Sequence, residues 1–340
     1  MKKLLVASSA LAAVAFAGQA YASEPIKLSV GGYMEQWMGV ADQDRDSAAN
    51  INAFQSDTEV HFKGSTTLDN GIEVGAVIEL EGQGGSSNQV DEQYLYVNGG
   101  FGQVRLGADD SAADSMAIVA PFVGMVGVND EDLTNWVDAY AIDTVPSDGD
   151  AKKFTYYTPI LGGFRAGFSY TDDSTSETNN TATEGDNVVS GGLEYNADFN
   201  GWSLGLSAVG ENKGEGNWYS FGTNVGFGNF TVGGSYGHLE GDYGLTDRDT
   251  AGGDTDSYDI GVAYAMDAAK VSLSYAYADY ANGETNRTTG EMSTVDLGLA
   301  YTLGAGVTWK TSVFWFDDDN NNNSFDNEGY GAVTGLRLDF

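Results

Sequence analysis

The stretch Phe54-Gln55-Ser56-Asp57-Thr58-Glu59-Val60-His61-Phe62-Lys63-Gly64-Ser65-Thr66 decides the fold. Successive side chains of an extended chain point to opposite sides. Phe54, Val60 and Phe62 therefore share one face, and Gln55, Asp57, Glu59, His61 and Lys63 share the other. A strand of a soluble sandwich can also alternate, but it rarely places five consecutive ionisable or amide groups on one face. A water-filled interior makes such a face tolerable, and apolar-out, polar-in alternation over about ten residues is the pattern of a transmembrane β-barrel.

The pattern extends in both directions. Upstream, over 27–40, Leu28, Val30, Met34 and Met38 oppose Lys27, Ser29, Glu35 and Trp37. Downstream, Asp69-Asn70-Gly71 forms a tight turn into 72–80, where Ile72, Val74, Ala76, Ile78 and Leu80 oppose Glu73 and Glu79. A hairpin follows over 91–98 and 103–108; the inward face of its first strand stays open, whereas Val104 and Leu106 point away from Gln103 and Arg105. Alternation resumes over 153–159 and 164–171. Further strands read at 187–198, 202–210, 216–226, 229–240, 254–266, 270–281, 290–302, 307–317 and 327–340, about sixteen in all. Short Gly/Asn/Asp turns take turns with longer acidic connections, the asymmetry expected of periplasmic turns and extracellular loops. Trp202, Tyr236, Tyr264, Tyr301 and Trp309 near strand ends read as interface aromatics.

One segment, 109–151, breaks the rhythm. A connection of about forty residues is uncommon in a compact protein and is usually functional or disordered. Its apolar middle, with Ile118, Val119, Phe122, Val123, Met125 and Val126, has enough hydrophobic surface to fold onto something. The expectation is a loop folded into the barrel.

Composition agrees with this reading. The chain has 47 Gly, 4 Pro, 12% aromatics and no Cys, so it relies on backbone pairing and packing, as a closed barrel can. Residues 1–22 have the layout of a secretory signal peptide: Lys2 and Lys3, an apolar run, then Ala20-Tyr21-Ala22. The mature barrel is expected over 23–340. No other stretch is long and apolar enough for a spanning helix. A formal charge of −35 repels nucleic acid and attracts cations.

Catalysis finds little support. His61 and His238 are the only candidates for the usual base, and no G-x-S-x-G motif occurs. Asp317, Asp319, Asn321, Asn323 and Glu328 stand at calcium-loop spacing, although Asn322 replaces the sixth-position glycine. A structural calcium there is one expectation and a solvated hairpin tip is the other. No other cofactor is expected.

Together these residues resemble the Gram-negative general-diffusion porins, trimeric sixteen-stranded outer-membrane channels, and look most like the alphaproteobacterial members. The resemblance spans the mature chain. It rests on Leu28-Ser29-Val30-Gly31-Gly32, on Phe62-Lys63-Gly64-Ser65 running into Leu68-Asp69-Asn70-Gly71, on Phe101-Gly102-Gln103-Val104-Arg105-Leu106-Gly107, and on Leu336-Arg337-Leu338-Asp339-Phe340. It implies an all-β antiparallel barrel in the outer membrane, a homotrimer among lipid and lipopolysaccharide, and passive diffusion of small hydrophilic solutes and ions. A substrate-specific channel, or a structural or adhesive barrel, is the alternative.

The resemblance also implies that the third loop narrows the bore. Its acids, Asp109, Asp110, Asp114, Asp130, Glu131, Asp132 and Asp138, would face the wall bases Lys63, Arg105, Lys153, Arg165 and Arg337. Phe340 would be the terminal aromatic read by the insertion machinery. Two departures thin the basic side: Ala108 stands where family members often carry a base, and Gln55, Asp57 and Glu59 stand where related chains tend to carry arginines. The expectation is a cation preference.

Overall fold

The computed structural model describes residues 25–45, 53–82, 89–129, 131–147, 149–172, 187–245, 252–281, 289–321 and 325–340. The leader expected over 1–22, and Asp130 and Asn323 of the candidate sites, lie outside them; of Glu131 only the backbone is described.

Sixteen strands close into one antiparallel barrel: β1 (Lys27–Gln43), β2 (Phe54–Thr67), β3 (Glu73–Glu81), β4 (Val90–Gly99), β5 (Gly102–Ala108), β6 (Lys152–Tyr157), β7 (Phe164–Thr171), β8 (Val188–Phe199), β9 (Trp202–Lys213), β10 (Gly216–Phe227), β11 (Phe230–Leu239), β12 (Thr255–Met266), β13 (Ala269–Tyr280), β14 (Gly290–Gly304), β15 (Val307–Asn320) and β16 (Asn327–Asp339). Each pairs with its chain neighbours, and β1 pairs with β16, so no edge is left to template another chain. At the seam Glu35 lies opposite Arg337, and Phe340 exchanges two backbone hydrogen bonds of 3.0 Å with Gly32.

Register fixes which residues face inward. Glu35 faces Asp57 across β1–β2, and His61 faces Glu79 across β2–β3, so the polar face of the opening stretch lines the lumen. The opposite face carries Leu28, Val30, Met38, Phe221, Ile260, Leu297 and Val313, all exposed on the outer surface as a lipid-facing band. Trp202, Tyr301 and Trp309 are exposed on that same surface, with Trp202 stacked on Phe199 at 4.1 Å. The open question over 91–98 is resolved by pairing: Tyr94, Tyr96 and Asn98 share the face of Glu73 and Arg105, which is inward.

Two boundaries differ from the sequence reading. Strand β9 continues to Lys213 and turns to β10 through Gly214 and Glu215 alone, on the rim that otherwise carries the long connections. Gly214 adopts φ +60, which favours glycine, and residues of the β11–β12 connection support the turn through Gly244 N–H to Lys213 O and Glu215 N–H to Leu245 O.

Strand β15 also continues, to Asn320, running into the candidate calcium loop. Asp317 and Asp319 lie on β15 and Glu328 on β16, with Asp317 directly opposite Glu328; Asn321 is the first residue past the strand. A calcium loop must curl its backbone around the ion over twelve residues, and here a straight ladder occupies both ends of that span. Asp317, Asp319 and Glu328 instead border a polar recess of about 350 Å³ with Asp44, Asp318, Asp326 and Asn327.

The connection after β5 lies inside the barrel. It opens with the short helix α1 (Ala112–Met116), whose start is capped by Ser111 Oγ accepting from Asp114 N–H, and it later includes a 3-10 turn at Glu131–Asn135. Its backbone or side chains bond to inward-facing groups of β7, β9, β10, β11, β12, β13 and β15: Ser169, Ser207, Asn224, Ser235, Asp259, Ser272 and Ser312. Only a segment within the bore can reach the inner faces of so many strands of a closed sheet.

The loop also builds a core of its own. Met125, Val126, Val128, Leu133, Trp136, Val137 and Ile142 bury against inward-facing Trp37, Ala276, Ala278, Tyr280, Met292, Phe314, Phe316 and Val333. Hydrophobic burial thus seats the loop on one arc of the wall, and hydrogen bonds set its position.

Candidate functional site: the channel between loop and wall

A track of small residues receives the loop. The inward positions under it are Ser207, Gly222, Ser235, Gly237, Gly261, Ser272, Gly298 and Ser312. Their hydroxyls accept loop amide protons at 2.9–3.1 Å: Ile118 to Ser207, Val123 to Ser272, and Met125 and Val126 both to Ser312. Glycine is required where the backbones touch, since a Cβ on Gly222 would lie 1.9 Å from Ile118 O and one on Gly237 2.4 Å from Thr144 O. Two buried carboxylates act as clasps. Asp259 accepts from Ala120 N–H at 3.1 Å and from Asn129 Nδ2 at 2.8 Å, and Asp318 accepts from Tyr140 N–H and the Tyr280 hydroxyl. Tyr140 stacks flat on Tyr280 at 4.0 Å.

The loop rests on the wall from Ser169 of β7 round to Val333 of β16 and Trp37 of β1, so the free lumen lies mainly along β2–β6 and the adjoining parts of β1, β7 and β16. Every candidate wall base there is already engaged. Lys63 pairs with Glu79 at 2.9 Å, Arg105 with Asp109 at 2.9 Å, Arg165 with Glu194 at 3.5 Å, and Arg337 with Glu35 at 2.7 Å. Lys153 donates to the carbonyl oxygens of Asp109 and Gly149. The arginines also stack on tyrosines: Arg165 over Tyr157 and Arg337 over Tyr33, both at 4.1 Å.

The acids divide into three groups. Asp109 is buried and bound to Arg105, so it neutralises the wall at the loop's root. Asp138 pairs with Arg45 at the upper end of β1 rather than with Lys63, Arg105 or Arg165, and Asp132 lies near it in the 3-10 turn; the loop is anchored at this end. Asp110, Asp114 and Asp150 remain toward the bore. Among the described residues none of them has an ion pair within 4.0 Å, and Asp110 and Asp150 gather with Glu92 of β4. Burial pushes the Asp114 carboxyl up to about 7 and Asp150 up to about 6, and their acidic neighbours, Asp110 first, add to both. Burial also raises Asp109 and Asp110, opposed by Arg105 and Lys153. Asp114 and Asp143 border a polar cavity of about 410 Å³ within the loop, with Asn129 and Ser147.

The sequence reading missed Arg45, Lys310, Asp150, Asp259 and Asp318. Lys310 joins Arg337 on the buried Glu35 at 3.1 Å. Its inward parity on β15 was a usable signal; the partners of Arg45 and the clasps were not, because they depend on where the loop rests. The two histidines lie on opposite faces of the wall. His61 is inward, whereas His238, beside inward Gly237, is outward and bound to Asp256.

The Gram-negative porin family model matches residues 7–321. Outer membrane porin protein 32 of Delftia acidovorans is 27% identical over 224 residues, a match spanning 61% of this chain and 60% of that protein. Among solved structures, the anion-selective porin from Comamonas acidovorans shares the fold at TM-score 0.65 and 18% identity, covering 93% of this chain and all of that one. OmpT of Vibrio cholerae, in its trimer form, does so at TM-score 0.65 and 14% identity, with the same coverage of each chain. The channel DcaP of Acinetobacter baumannii reaches TM-score 0.64 at 10% identity, covering 96% of this chain and all of that one. With its closed sixteen-stranded barrel and inward loop, the chain belongs to the Gram-negative porin family and is a multi-pass β-barrel of the outer membrane.

Proposed function

We propose that the chain forms a water-filled channel for passive diffusion of small hydrophilic solutes and ions, that it prefers cations, that it assembles as a homotrimer, and that it catalyses no reaction. The observation that carries the preference is the imbalance along the free arc: each wall base is occupied by an acid or by carbonyl oxygens, while Asp91, Glu92, Asp110, Asp114 and Asp150 have no ion-paired base among the described residues. Charges beside a narrow, poorly solvated passage act far more strongly than charges in bulk water. The anion selectivity named for the Comamonas protein belongs to a chain only 18% identical, in which the wall charges are free to differ.

Serine and glycine on the loop's seat leave the loop well packed on one side of the bore, which supports a conducting channel over a plugged structural barrel. Family membership and the Vibrio protein's trimer form support the trimer. Purified protein added to planar bilayers should give ohmic conductance in groups of three equal steps. Folded protein that inserts without conductance would favour the structural barrel, and single steps would refute the trimer.

A further inference from the structure

On the lumen wall, His61, Glu59 and Glu79 converge. His61 and Glu79 are direct partners across β2 and β3, and Glu59 precedes His61 by two residues, so all three side chains point inward from paired strands. His61 Nε2 lies 2.7 Å from Glu59 Oε2 and 3.3 Å from Glu79 Oε2. The second oxygen of each carboxylate is held from behind: the Tyr33 hydroxyl donates to Glu59 Oε1 at 2.9 Å, and the Lys63 ammonium lies 2.9 Å from Glu79 Oε1. Each carboxylate is thereby turned so that its other oxygen faces the imidazole. Outer donors that fix the orientation of ligating groups are characteristic of built metal sites.

The spacing suits a small divalent ion. Zinc binds imidazole nitrogen and carboxylate oxygen at about 2.0–2.2 Å, which puts tetrahedral ligands about 3.3 Å apart. The His61–Glu79 separation of 3.3 Å already matches, the His61–Glu59 separation of 2.7 Å must open by about 0.6 Å, and the two carboxylates offer oxygens within 4.8 Å of each other. One imidazole among carboxylates favours a borderline transition metal over calcium, which takes only oxygen. Ligand atoms of Glu81 and Asp91 also lie within 4.8 Å of Glu59, so oxygen donors continue along the same wall.

We propose that Glu59, His61 and Glu79 form a lumenal site for a divalent transition-metal ion of the zinc class, with its remaining coordination positions open to channel water. A bound ion would cancel two carboxylate charges in the acidic arc. The site rests on ligand geometry and not on the channel's ion preference, so its binding is measured independently of current.

The test is zinc titration of the folded, detergent-solubilised barrel at neutral pH by calorimetry, with heat-modifiable migration confirming that each variant is folded. Wild type should bind one zinc per protomer in the micromolar range. His61→Asn should weaken that binding at least tenfold, with Glu79→Gln as the alternative if His61→Asn does not fold. Tyr33→Phe, which leaves all three ligands in place, should weaken it by about 10–100-fold through lost orientation. His238→Asn should bind as wild type does. Absence of stoichiometric zinc in wild type, or His61→Asn and Glu79→Gln that bind as wild type does, would overturn the proposal.

Discussion

Replacing Asp259 by Asn tests how the loop is held. The carboxylate is buried and faces four donors: Ala120 N–H at 3.1 Å and Ser235 N–H on Oδ1, and Asn129 Nδ2 and the Ser235 hydroxyl on Oδ2, each of the last two at 2.8 Å. An asparagine keeps one acceptor oxygen and turns an amide nitrogen toward the other two donors. Two charge-assisted hydrogen bonds are lost, one from the loop and one from Ser235 of the wall, so seating of the loop should weaken by the loop's one bond, about 1.5–3 kcal/mol. At 1.4 kcal/mol per decade that is a rise of about 10–100-fold in the local opening constant. The backbone ladder over β11 and β12 is kept, with Ser235 of β11 losing only a side-chain partner, so heat-modifiable migration should stay as in wild type. Hydrogen exchange in detergent reads the effect at the Ala120 amide, which should exchange about 10–100-fold faster in Asp259→Asn while amides of β12 are unchanged. Unaltered Ala120 exchange in a folded variant would refute the clasp.

Asp114 and Asp150 should make the channel pH-dependent. Both carboxyls are raised by burial, to about 7 and about 6, so both are largely neutral at pH 5 and charged at pH 8, and cation preference should grow over that interval. For an acid raised in the folded state, the native protein holds the extra proton between the ordinary carboxylate range and the raised value; the loop therefore loses stability as pH rises through that window. Asp114→Asn should flatten the upper half of the pH profile, and a profile already flat in wild type would contradict these placements. Deleting Phe340 removes two backbone hydrogen bonds at the β1–β16 seam, about 1–3 kcal/mol, and should lower the yield of heat-modifiable barrel without lowering export; wild-type yield would count against that role. Cysteine placed at Asn321 should react with an impermeant reagent on intact cells and cysteine at Asn70 should not; the reverse result would invert the barrel.

The strand plan was legible because each strand meets lipid outside and water inside, and that contrast imprints period two on 54–66 and its neighbours. It fades where the loop replaces water. Val313, Phe314, Trp315 and Phe316 run apolar on both faces because Phe314 and Phe316 pack against the loop's core while Val313 and Trp315 face outward. The loop's inward course was readable from its apolar middle, and its seat left a trace in the serines and glycines at inward positions of β9–β15. Which acids face the bore was not readable. That depends on the loop's resting place: Asp138 is drawn to Arg45 and Asp109 to Arg105, leaving Asp110, Asp114 and Asp150 toward the channel. The calcium-loop spacing records only the order of oxygen donors, whereas the ladder between Asp317 and Glu328 determines the backbone at its two ends.

Acids along the free arc, unmatched by bases, are proposed to set the ion preference. Reversal potential across a bilayer in a potassium chloride gradient at pH 8 tests it most directly. Wild type should reverse on the cation-selective side, and joint substitution of Glu92→Gln, Asp110→Asn, Asp114→Asn and Asp150→Asn should move the potential toward anions. Neutralising Asp317 and Asp319 on the outer rim should barely move it, because salt screens charges beyond about 8 Å at physiological strength. An anion-selective wild type, or an outer-rim pair that shifts the potential more than the four lumenal acids do, would contradict the account.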